Sequence, residues 1–211
     1  LVPPVGWALM GAALLTSMYG YFNARRIHVQ EVVVMLANLP EAWRGRRLAF
    51  ISDVHLGQMY GEKRLERIVD VINNQHPDLV CIGGDLFDGT TAPDLKLLTS
   101  PLAHLKAPLG TYFITGNHEE YGDVGAFMEA IHAAGVRVLA DELIDIDDVQ
   151  LIGVDYKNTS NKDEFAAILA ALPIAPEKPS ILLRHEPKDL EVGRDAGVSL
   201  QLSGHTHRGQ Q

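Results

Sequence analysis

The chain opens on a long apolar run and then alternates between short apolar segments and segments with helical periodicity. Val5 to Phe22 (VGWALMGAALLTSMYGYF) is predominantly apolar, and no charge occurs between Leu1 and Ala24. As a helix, a run of this length reaches about 27 Å, near the hydrocarbon thickness of a bilayer. Trp7, Tyr19 and Tyr21 suit membrane interfaces, and Arg25 and Arg26 follow at once. The expectation is a transmembrane anchor over residues 1–26, with the arginines placing the following domain, residues 27–211, on the cytoplasmic side. A buried helix of a soluble protein is the alternative. The first residue is Leu, so the chain reads as a fragment or a processed form.

Beyond the anchor, the β-branched run IHVQEVVVML reads as a strand, and RRLAFISD as a second one. EKRLERIVDVINNQ places apolar residues at 65, 68, 69 and 72, the spacing of an amphipathic helix. PDLVCIGGD is nearly all apolar, as buried parallel strands are. PDLKLLTSPLAHL reads as helix up to a proline irregularity, GTYFITGN as a strand, and VGAFMEAIHAAG as a helix with Gly135 past its end. VRVLAD follows as a strand. ELIDIDDVQLIGVD alternates around Asp147-Asp148 and reads as a hairpin. A helix (KDEFAAILAAL) and two strands (SILLRHEP, VSLQLSGH) complete an α/β order with helices on the sheet faces.

Composition narrows the function more than the fold. Hydrophobic residues at 46% and charged residues at 21% are ordinary for a globular domain. A net charge of −9, with no basic, aromatic-lined stretch, argues against nucleic acid as a partner. It leaves a phosphorylated substrate open, because bound metal ions supply local positive charge. The single cysteine, Cys81, lies in the apolar run LVCIGG and reads as a small buried hydrophobe.

Five polar clusters each follow directly on an expected strand: SDVHLG (52–57), GGDLFDG (83–89), GNHEE (116–120), RHEP (184–187) and SGHTHRG (203–209). Functional groups of open α/β sheets collect at the carboxyl ends of strands. His55, His118, His185, His205 and His207 fall in these clusters. His28, His76, His104 and His132 lie in strand, turn or helix contexts and read as surface or core residues. Taken singly each cluster has an ordinary reading, with Asp85 as a helix cap or Asn117 as a turn residue. Together they bring carboxylates, an amide and imidazoles to one edge, where burial without a partner is costly. A pair of metal ions satisfies them at once. Oxygen and imidazole donors without thiolate fit Mn, Fe, Zn, Co or Ni, and two such ions about 3.5–4 Å apart activate a water and clamp phosphoryl oxygens.

The ordered set D-x-H (Asp53, His55), G-D-x-x-D (Asp85, Asp88), G-N-H-E (Asn117, His118, Glu119), His185 and G-H-x-H (His205, His207) resembles the calcineurin-like metallophosphoesterase superfamily over about residues 46 to 210. An NLP…G lead-in (Asn38-Leu39-Pro40 and Gly45) is similar to that of its membrane-associated bacterial branch, which implies a bacterial inner membrane. The resemblance implies a four-layer α/β/β/α sandwich, here incomplete at its C-terminus because the family continues beyond the last motif. It further implies a dinuclear phosphoester hydrolase in which a metal-bridging hydroxide attacks phosphorus. Asp53, His55 and His207 would hold one metal, Asn117, His185 and His205 the other, and Asp85 would bridge them. His118, oriented by the Asp88 carboxylate, would stabilise phosphoryl charge and protonate the leaving oxygen. Glu119 completes the motif as a capping or solvated carboxylate, and Arg208 is a candidate substrate contact with Asn117 and His118. The substrate is a phosphorylated small molecule or a lipid-linked pyrophosphate of envelope synthesis. The rival from another class is a membrane-anchored metal-binding module without catalysis. The loops GTTAPD, EEYGDVG and DYKNTSNKDE carry no readable substrate code.

Overall fold

A computed structural model describes residues 4–24, 26–57, 61–89, 94–159 and 161–207. The chain divides into two compact units, Leu1–Val34 and Met35–Gln211. In the first unit, helix α1 spans Pro4–Ala24. Its apolar side chains, among them Trp7, Leu14 and Phe22, point in all directions and are exposed rather than gathered on one stripe. Gly6, Gly11, Gly20, Thr16, Ser17, Tyr19 and Tyr21 dilute the run, and no described helix is long and apolar enough to cross a membrane. The expected transmembrane anchor is thus corrected to a 21-residue helix. The strand expected over IHVQEVVVML does not form either. Residues 26–36 are in neither helix nor strand, and Val33 and Met35 are each 92% exposed. A β-branched run becomes a strand only when a neighbour takes its backbone hydrogen bonds.

The second unit contains two four-stranded sheets. The first is wholly parallel, in the order β1 (Leu48–Ile51), β2 (Leu79–Ile82), β3 (Thr111–Phe113) and β4 (Arg137–Val138). The second runs β5 (Glu142–Ile146), β6 (Val149–Gly153), β7 (Ser180–Leu183) and β8 (Leu200–Leu202). Its β5–β6 pair is antiparallel, with Ile146 opposite Val149, and the other pairs are parallel. The turn between β5 and β6 is made by Asp147 and Asp148, both at positive φ (50° and 66°), as a two-residue hairpin turn requires.

Side-chain alternation along the strands divides the interior into three cores. Val80 and Ile82 pack under α2 (Glu62–Asn73), α3 (Leu95–Thr99) and α5 (Val124–Ala133), through Leu65, Val69, Leu98, Phe127 and Ile131. Leu79 and Cys81, on the other face of the same strand, meet Val149, Leu151, Ile181 and Leu183 of the second sheet. Ile152 and Leu182, on the outer face of that sheet, pack under α6 (Lys162–Ala171) and α7 (Leu190–Asp195), through Phe165, Leu169 and Val192. A helix layer, two sheets and a second helix layer follow directly from this period of two.

The helices start and stop where their sequence says. Asp94, Asp123 and Asn161 cap α3, α5 and α6 by accepting backbone N–H bonds, and Gly135 (φ +78°) ends α5. Pro101 turns the end of α3 into a 3-10 segment, Ser100–His104. A four-residue helix, α4 (Asn117–Glu120), was not expected from periodicity and carries two of the G-N-H-E motif's functional candidates, Asn117 and His118.

Candidate metal centre

Each expected cluster follows the carboxyl end of a strand. Asp53 and His55 follow β1, Asp85 follows β2, Asn117 and His118 follow β3, His185 follows β7, and His205 and His207 follow β8. Both sheets therefore contribute, and bonds between side chain and backbone join their edges. The Asp53 carboxylate accepts the His205 N–H at 2.9 Å, and Nδ1 of His185 lies 2.7 Å from the Gly83 carbonyl. Asp53, His55, Asp85, His205 and His207 all sit at positive φ, between 46° and 70°. This conformation is uncommon for side-chain-bearing residues and gathers at functional sites that the surrounding fold over-determines.

Two glycines make the approach possible. A Cβ on Gly84 (φ +89°) would lie 2.7 Å from the His185 ring, and one on Gly116 would lie 2.2 Å from Asp85 Oδ1. Any side chain at either position would push apart the residues that have to meet.

Ligand-type atoms of Asp53, His55 and His207 converge within 4.8 Å of one another, and those of Asp85, His185 and His205 form a second such group. Asp85 also belongs to a third group with His55 and His118, so it lies between the other two. Asn117 joins the second group, with Oδ1 3.0 Å from Nδ1 of His205. The structure thus places the candidates Asp53, His55, Asp85, Asn117, His185, His205 and His207 together. The structure gathers every expected ligand; Arg208 lies outside the described residues.

The donor atoms suit a cation. Nε2 of His185 is buried, has no hydrogen-bond partner among the described residues, and lies 3.1 Å from Asp85 Oδ2. Nε2 of His55 lies 3.2 Å from Nε2 of His207. Pairs of lone-pair atoms facing each other this closely need either a shared proton or a metal ion. With Nδ1 of His185 bonded to a carbonyl, its Nε2 is the atom left for a ligand.

Burial and neighbouring charges act against each other on Asp85 and His185. Burial acts to raise the Asp85 carboxyl, but His185 and the His118 N–H outweigh it and hold it below its ordinary value. Burial likewise acts to lower His185, yet the Asp85 carboxylate raises it above the usual imidazole value. Burial, followed by the neighbouring His118, pushes His55 down, which favours the neutral ring a ligand needs.

His118 touches the site without completing either triad. Its ring meets that of His55 edge-on, with centroids 4.5 Å apart. Asp88 does meet it, but through the backbone carbonyl, 3.0 Å from Nδ1. The Asp88 carboxylate lies over Gly57. The contact seen between the two residues is thus carbonyl to imidazole, which sets ring direction without adding a full negative charge.

Glu119 takes the capping one of its two expected readings, and Glu186 and Arg184 support the site without a role expected from sequence. Glu119 is fully buried and accepts the backbone N–H groups of Asp85 (2.9 Å), Phe87 (3.1 Å) and Gly116 (2.6 Å). Burial pushes its carboxyl up, and the three donors pull against that. The spacing of Gly116 and Glu119, a helix cap followed three residues later by Glu, was the available signal. Glu186 places Oε1 3.8 Å from Nε2 of His205, while Asn117 meets Nδ1 of the same ring. Arg184 is wholly buried, stacks 3.9 Å from the centre of the Phe165 ring, and bonds Thr159 O and Asp189 Oδ2, which fixes the turn carrying His185 and Glu186. An arginine beside a motif histidine gives no sequence sign of burial.

Comparison with known proteins agrees with this geometry. A zebrafish (Danio rerio) chain named "Transmembrane protein with metallophosphoesterase domain" is 35% identical over 96% of this chain and 49% of its own length. A metallophosphoesterase of Helicobacter pylori is 30% identical over 92% of this chain and 54% of its own. One of Aquifex aeolicus is 32% identical over 95% and 77%. The chain thus spans about half the length of the first two relatives, and vertebrate and bacterial matches of similar identity do not select a bacterial branch. The crystal structure of the Thermus thermophilus protein TT1561 shares the fold, with a TM-score of 0.54 at 14% identity over 75% of this chain and 80% of that one. The calcineurin-like phosphoesterase family matches residues 46–209, the span that holds every candidate ligand, and the chain belongs to that family.

Proposed function

We propose that this chain is a dinuclear metal-dependent hydrolase of phosphoesters. The observation that carries the reading is the convergence of the Asp53–His55–His207 and Asp85–His185–His205 groups at one edge of the two sheets. Asp53, His55 and His207 would hold one ion, Asn117, His185 and His205 the other, and Asp85 both. Their oxygen and imidazole donors suit Mn, Fe, Zn, Co or Ni. Two such ions supply Lewis acidity to a phosphoryl group and lower the pKa of the water that attacks phosphorus.

The chain's own residues do the rest. His118, held through Nδ1 by the Asp88 carbonyl, keeps Nε2 for the proton delivered to the departing oxygen. Glu119 fixes the backbone on both sides of Asp85, so the common carboxylate keeps its direction. The substrate class is a phosphorylated small molecule; a lipid-linked pyrophosphate is a narrower form of the same reading.

Hydrolysis of p-nitrophenyl phosphate and bis-p-nitrophenyl phosphate by Mn-loaded protein tests the proposal. The expected result is chelator-sensitive turnover that falls about 10²–10⁴-fold in His118→Ala while metal content is kept. Metal binding without turnover of any phosphoester would instead favour a metal-binding module.

A further inference from the structure

We propose that Tyr121 selects the leaving group, by presenting its ring as a platform for an aromatic or heteroaromatic substituent on the phosphoester; this rests on the hydrolase reading above. Tyr121 follows α4 directly, three residues after His118, and the two rings meet edge to face with centroids 5.2 Å apart. Its neighbours in the motif are buried, Asn117 at 8% and Glu119 at 0% exposure, yet Tyr121 is 70% exposed.

The ring is exposed but held. Its hydroxyl accepts a hydrogen bond from Nδ2 of Asn117 at 3.3 Å. Its Cβ rests over Gly89 (φ +79°), where an added Cβ would come within 3.1 Å. A large aromatic ring fixed at both ends, with an open face, loses little freedom when a second ring stacks on it.

Its place decides what it touches. In hydrolysis a bond forms between water oxygen and phosphorus, the bond from phosphorus to the leaving oxygen breaks, and His118 supplies that oxygen's proton. The group attached to the departing oxygen therefore extends past His118, beside Tyr121. Tyr156 has a different ring partner: it lies edge-on to the candidate ligand His185, centroids 5.9 Å apart.

The test compares Mn-loaded unsubstituted protein with Tyr121→Ala and Tyr121→Phe, using phenyl phosphate against ethyl phosphate. Intrinsic leaving-group reactivity cancels when the aryl-over-alkyl ratio of kcat/KM is compared between variants. Tyr121→Ala should lower that ratio about fivefold to tenfold, chiefly through KM, the size of one aromatic pair. Tyr121→Phe should retain the ratio even if loss of the Asn117 bond slows both substrates. Calorimetric binding of phenylphosphonate against methylphosphonate should show the same loss of preference in Tyr121→Ala. An aryl-over-alkyl ratio that stays within twofold in Tyr121→Ala would overturn the proposal. Should the unsubstituted protein turn over neither ester, the hydrolase reading fails if bis-p-nitrophenyl phosphate is left intact too. The phosphonate pair then decides the role of Tyr121 alone: a preference for phenylphosphonate lost in Tyr121→Ala supports it, and no preference overturns it.

Discussion

The carboxylate of Glu119 accepts the backbone N–H of Asp85 at 2.9 Å, so a residue that is no ligand holds the carboxylate lying between the two ligand groups. Two further N–H donors, from Phe87 and Gly116, converge on the same carboxylate. Glu119→Gln keeps the shape but turns an NH2 toward an N–H donor. It should cost about 2–3 kcal/mol of stability and weaken metal binding, read by denaturant unfolding and metal titration. Unchanged midpoints in both would show that the three-donor carboxylate does not hold the site.

The Asp88 carbonyl, rather than its carboxylate, meets the His118 ring. Asp88→Asn leaves that carbonyl in place and should lower kcat less than tenfold, whereas His118→Ala removes the proton donor. Steady-state kinetics of the two variants separates the roles. Equal losses would return the orienting role to the Asp88 carboxylate.

Asp78 joins the start of β2 to the start of β1 by accepting the Arg47 N–H at 2.9 Å and Nη1 of Arg46 at 2.7 Å. The Arg47 N–H, with Arg46 beside it, holds its carboxyl below the ordinary 3.8. Stability from a depressed carboxyl is complete above the unfolded value and is lost as pH falls through the folded one. Asp78→Asn should therefore cost about 1 kcal/mol at pH 7. The gap should close as pH is lowered toward 3 in paired unfolding curves, and a gap independent of pH would contradict the assignment.

Cys81 lies between the two sheets with no exposure, and burial pushes its thiol far above the usual range. Folded protein should leave a thiol reagent such as DTNB unreacted, and denatured protein should release one equivalent. Rapid labelling of the folded chain would mean that the inter-sheet core is open.

Much of the second unit was legible because its signals are local and repeated. The alternation of Leu79–Ile82 and the stripe of Leu65, Val69 and Ile72 each depend only on a period. The ligand set was legible because strand ends carry it, and the fold brings strand ends together. The run IHVQEVVVML misled because β-propensity describes a surface that fits a sheet and does not supply the neighbouring strand. The apolar run of α1 misled because Thr, Ser, Gly and Tyr weaken its average without interrupting its helix. The burial of Glu119 and Arg184 was hidden for a different reason. Charged residues are buried only where several donors or a stacked ring offset desolvation, and of those partners Asp85, Phe87, Thr159 and Phe165 lie 19 to 34 residues away along the chain.

Metal stoichiometry tests the central claim most directly. Folded protein, loaded with Mn2+, dialysed free of excess metal and measured by mass spectrometry of the element, should hold two ions per chain. Asp85→Asn, which removes the carboxylate between the two groups, should hold fewer and hydrolyse p-nitrophenyl phosphate at a small fraction of the rate. Full turnover by metal-depleted protein, or two ions held undiminished by Asp85→Asn, would contradict the account.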